Sequence, residues 1–90
     1  MSEVARELKR SMKNDAKELC YHAKCIQDSC ELIINLSDFG QTTVETSDKI
    51  ESTMRDIEDY LNFCEELRSK VFDLNERFKW SIINSQSDSK

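Results

Sequence analysis

Asn35-Leu36-Ser37-Asp38-Phe39-Gly40-Gln41-Thr42-Thr43-Val44-Glu45 contains the only glycine of a 90-residue chain that has no proline. The sequence on both sides is patterned for helix, so the fold turns on what happens in these residues. Gly40 suits the left-handed conformation that closes a helix, which other residues enter only at a cost. Just beyond it, Thr42 and Glu45 have the spacing of a capping box. In that motif a threonine accepts from the amide three residues on, and the glutamate reaches back to the threonine amide. One helix is therefore predicted to end, and another to begin, near residues 37–42.

Toward the N-terminus, Val4, Leu8, Met12, Ala16, Leu19, Ala23, Ile26, Cys30 and Ile33 recur at helical spacing. The later steps alternate three and four, which marks a coiled-coil seam rather than the wider stripe of a globular helix. Toward the C-terminus the series is Ile50, Met54, Ile57, Leu61, Cys64, Leu67, Val71, Leu74 and Phe78. Its two successive steps of three, Leu61 to Cys64 to Leu67, read as a stammer that overwinds a coiled coil locally. The fold class is all-α, with two long helices over about 3–37 and 43–82 in one coiled-coil domain, residues 1–83. Asn84 to Lys90 are all polar and read as a disordered tail.

The break at Gly40 leaves a helical hairpin and a kinked rod both open. In either, two helices leave each seam partly uncovered. Completing a three- or four-helix bundle with other helical subunits is the natural solution. The partner-binding seam is assigned to Leu19, Ile26 and Ile33, then to Ile50, Met54, Ile57, Leu61, Leu67, Val71, Leu74 and Phe78. Phe63 lies beside that seam and Trp80 just past its end, where each could anchor a partner or cap the core.

Composition narrows the function classes. The apolar share is 38%, below the roughly 45–50% of globular domains. Net charge is −5 with no basic block, which argues against nucleic acid, since phosphate contacts need clustered Lys and Arg. Acids crowd residues 45–66, where they either form a solvated face or help select a partner. No apolar run approaches the ~20 residues of a membrane span, and the N-terminus has no signal-peptide h-region. A soluble intracellular protein without direct membrane insertion is expected.

Little supports catalysis, a cofactor or a small-molecule substrate. His22 is the sole histidine, and Gly40 stands outside any phosphate-binding loop. Cys20, Cys25 and Cys30 are five apart, so each is rotated about 140° from the last and they cannot converge on one metal. Cys20 and Cys30 have a gap similar to that of twin-cysteine helical hairpins of the mitochondrial intermembrane space. A cysteine-dependent hairpin is thus one alternative. The other reading is reduced thiols that pack as small apolar residues, with Cys30 and Cys64 on the seams.

The stretch IESTMRDIEDYLNFCEELRSKVFDLNERF, from Ile50 to Phe78, resembles the long helix of the small, cappuccino-like subunits of the biogenesis of lysosome-related organelles complex. Ile57, Phe63, Cys64, Leu67, Val71, Leu74, Glu76 and Phe78 carry the similarity. It implies a non-catalytic subunit of a hetero-oligomer in endosome and lysosome trafficking. The stretch from Leu36 through Phe39, Ile50, Met54, Ile57 and Leu61 to Glu65 is also similar to the short coiled-coil subunits of the SCAR/WAVE and WASH actin-regulatory complexes. It departs from them at Asn35, where an aromatic is usual. Met54-Arg55-Asp56-Ile57-Glu58 resembles the helical subunits of the kinetochore DASH complex. All three resemblances imply assembly parts.

Overall fold

The computed structural model describes residues 3–88, with side chains described as far as residue 84. The chain is all-α, with two long helices, α1 (Glu3–Phe39) and α2 (Val44–Asp88). Both exceed the expected bounds. Without proline or a further glycine to stop it, a nucleated helix extends at little cost per residue. The segment expected as a tail from residue 84 is accordingly helical to Asp88, and residues 89 and 90 lie outside the described residues. The chain packs as two units. A terminal unit pairs the described residues up to Leu19 with those from Glu65 onward, and a turn unit comprises Cys20–Cys64.

The turn unit is a helical hairpin rather than a bent rod. His22 of α1 stacks on Phe63 of α2, ring centroids 5.2 Å apart, and on Tyr60 at 6.4 Å. Such contacts require the second helix to run back along the first. In the terminal unit, Ser11, Asn14 and Asp15 of α1 and Lys70, Leu74 and Arg77 of α2 line a shared polar groove.

The turn differs from expectation in two details. Gly40 is not left-handed, since no described residue has a positive φ. Glycine is needed there for space. The Gly40 amide donates to the Leu36 carbonyl at 3.0 Å. A Cβ would collide with that same oxygen and lie 2.9 Å from the Thr46 methyl group. The cap is also one residue later than Thr42. The Thr43 hydroxyl accepts from the Thr46 amide at 3.3 Å, and the Thr43 carbonyl accepts the first α2 bond from Ser47 at 3.2 Å. Thr43 is therefore the N-cap, and Glu45 falls in the first turn one residue short of the reciprocal position. Its remaining contribution is its negative charge near the positive end of the helix dipole.

Gly40→Ala is expected to destabilise the chain by about 1–3 kcal/mol, because backbone must shift to admit the methyl group. Urea denaturation of the two proteins measures this. Equal midpoints would show that the turn opens freely enough to take a side chain.

Burial defines the seam, and it is more regular than the apolar letters suggested. On α1 the less exposed positions include Ala5, Leu8, Met12, Asp15, Leu19, His22, Ile26, Ser29, Ile33 and Leu36. On α2 they include Thr46, Ile50, Thr53, Ile57, Tyr60, Cys64, Leu67, Val71, Leu74, Phe78 and Ser81. Both series alternate steps of three and four without interruption, which is a strict heptad repeat. The expected stammer is absent, because the seam passes through Thr53 and Tyr60 rather than Met54 and Leu61. On α1, Val4, Ala16, Ala23 and Cys30 were expected on the seam and are exposed. Polar residues at His22, Ser29 and Asp15 take seam positions in their place.

Thr53 shows how a polar side chain is accommodated. It is buried, and its hydroxyl donates to the Lys49 carbonyl at 2.8 Å, one turn back on its own helix. Valine has the same shape, and the carbonyl loses nothing it needs when the hydroxyl goes. Thr53→Val should leave thermal stability unchanged or raise it by up to about 1 kcal/mol. A clear fall in melting temperature would mean that the hydroxyl contributes more than this local bond.

Candidate partner-binding surface

With Ile50 as position a, α2 places Thr53, Tyr60 and Leu67 at d, Met54 and Leu61 at e, and Phe63 at g. With Ala5 as position a, α1 places Ala23 and Cys30 at e, and Cys25 and Leu32 at g. In an antiparallel pair the two e rows border one side of the seam and the two g rows the other. Each side of the turn unit is therefore described by the rows that border it.

The seam itself is used within the chain. Ile57 is 8% exposed, Leu67 is also buried, and Ile50, Val71, Leu74, Phe78, Leu19, Ile26 and Ile33 are half-buried. Two residues assigned to the same seam are not. Met54 is 52% and Leu61 53% exposed. They stand one heptad apart at e, each one residue past Thr53 or Tyr60 and so about 100° around the helix from it. Phe63 is 49% exposed and stacks on His22 at an interplanar angle of 18°. Tyr21 and Leu32 are exposed in the same unit, and Trp80 is exposed on the terminal unit. Gly40, Thr42 and Glu45 are exposed in and around the turn.

The residues missed from the sequence are the polar and aromatic seam members, His22, Ser29, Thr53 and Tyr60. Their signal was the unbroken three-four spacing, visible once polar residues are admitted to it. Tyr60 shows the setting. Desolvation between the helices, followed by the nearby Cys25, Asp56, Tyr21 and Asp59, pushes its phenol above the ordinary value.

Charge around this surface is one-sided. Residues 20–64 carry three Lys and Arg against nine Asp and Glu, a net of −6, whereas the whole chain carries −5. Two local pairs among the described residues offset part of it, Lys24 to Asp28 at 3.7 Å and Arg55 to Glu51 at 2.9 Å. Both are exposed i,i+4 pairs of the kind that contributes a few tenths of a kcal/mol. The Met54 and Leu61 row ends one heptad further along α2 at Arg68. There the guanidinium bonded to Glu65, Nε to Oε2 3.1 Å, holds the Glu65 carboxyl below its usual range.

The four cysteines are free thiols, with Cys20 and Cys30 exposed and Cys25 and Cys64 half-buried. Cys64 lies on the seam, and Cys30 lies outside it at e. No group of three or more His, Cys, Asp or Glu among the described residues is placed to hold a metal ion. Among the described residues no helix is long and apolar enough to cross a membrane. No family model, curated protein or solved structure matches the chain.

Proposed function

We propose that this chain is a non-catalytic helical subunit that completes a hetero-oligomeric bundle with other helical proteins. The exposed apolar row of Met54 and Leu61 carries the reading. Single exposed apolar residues are ordinary. A row repeating at seven residues beside a seam already closed within the chain is the surface a further helix would cover. The half-exposed ring of Phe63 adds an aromatic anchor on the other side of the seam.

The process we propose is endosomal and lysosomal trafficking, on the strength of the resemblance of residues 50–78 to the cappuccino-like subunits. The chain would then be cytoplasmic and reach organelle membranes only through its complex. Purification of the tagged protein from its native cells tests both levels. Several other small helical proteins should be recovered in fixed ratio. Their identities decide whether the complex serves trafficking, actin regulation or the kinetochore. Recovery of the chain alone as a folded oligomer would overturn the subunit reading.

A further inference from the structure

We infer that the side of the turn unit built from Ala23, Cys30, Met54 and Leu61 receives one amphipathic helix of another polypeptide, with lysine or arginine along the edge that meets α2. The inference rests on the subunit reading above and specifies the partner's chemistry.

Relief supports a helix there. The e row of α1 is small, at Ala23 and Cys30, and the e row of α2 is large, at Met54 and Leu61. The face is therefore low over α1 and raised over α2, a step against which an apolar helical stripe can lie. The next rows outward differ in charge. Beyond Met54 and Leu61 stand Glu51 and Glu58, whereas beyond Ala23 and Cys30 stand the uncharged Cys20, Gln27 and Ile34. One edge is acidic and the other neutral.

Charge selects the occupant. Glu51 is paired with Arg55, but Glu58 takes part in no ion pair among the described residues. A second copy docked unit to unit would bring another −6 against this −6. A helix with a basic edge instead neutralises the surplus, and like-charged competitors are repelled.

Fluorescence anisotropy with the full chain and two synthetic peptides tests this. Each peptide has about 28 residues, long enough to hold a helix in water. The two share one leucine stripe and differ in carrying lysine or glutamate beside it. The lysine peptide should bind, more weakly as salt rises, and the glutamate peptide should not. Met54→Asp and Leu61→Asp should each weaken binding about thirtyfold, while Ser52→Asp, exposed on the c row of α2 away from this side, should leave it unchanged. Glu51→Lys combined with Glu58→Lys should shift the preference to the glutamate peptide. Equal binding of both peptides, binding by neither, or indifference to Met54 and Leu61 would overturn the proposal. So would a dimer of the chain alone, seen by sedimentation and dissolved by Leu61→Asp, because a second copy would then own the face. Native partners retained by Met54→Asp and Leu61→Asp, but lost by Phe63→Asp, would overturn this face and leave the subunit reading intact.

Discussion

Ile57→Asp should cost about 4 kcal/mol or more and melt the hairpin. Ile57 is among the few apolar side chains that the two helices bury. Its replacement removes that burial and puts a carboxylate into a buried, apolar position. Proteins of this size have only several kcal/mol of net stability, and the seam already spends positions on His22, Ser29 and Thr53. Circular dichroism should show most of the helical signal lost at 25 °C, or a sharply lower melting temperature in the presence of partners. A variant that melts like the parent would show that the seam is not what holds the helices together.

Leu61→Asp should have the opposite profile. At 53% exposed, Leu61 gives up little burial within the chain, and the lower helix propensity of aspartate costs only about 0.5 kcal/mol. The helical signal and melting temperature should stay close to those of the parent. Binding to native partners should fall by about 2 kcal/mol or more, the loss typical of an anchor at the centre of an interface. Co-purification at matched expression measures it, with Met54→Asp as the parallel test. Full partner recovery by both would remove the e row from the interface. Ile57→Asp and Leu61→Asp are four residues apart and separate folding from assembly, which a substitution at any fully shared seam position cannot do.

Much of this fold was legible without coordinates. Two stripes of apolar residues, the absence of proline and a lone glycine restrict the chain to two helices and one break, since no other element satisfies that periodicity. Cys64, Leu67, Val71, Leu74 and Phe78 could be placed on the seam from spacing alone. Around residues 53–61 polarity and spacing point to different faces, since a series through the apolar Met54 and Leu61 needs a stammer to rejoin at Cys64. The buried positions are Thr53 and Tyr60. A threonine that satisfies its hydroxyl on its own helix costs little to bury, so polarity was a poor guide there.

By itself the sequence determined the class, the number of helices and the site of the break, because periodicity and backbone permissiveness are local properties. Only the tertiary structure decided that the break closes a hairpin and that Gly40 is required for clearance from Leu36 and Thr46 rather than for its handedness. It alone separated the apolar residues that face the neighbouring helix from those left outward. Which face of an amphipathic helix is buried depends on the partner it meets. A stripe wider than one seam can satisfy two registers until the second helix is in place, and here packing of His22 against Tyr60 and Phe63 accompanies the register that leaves Met54 and Leu61 exposed.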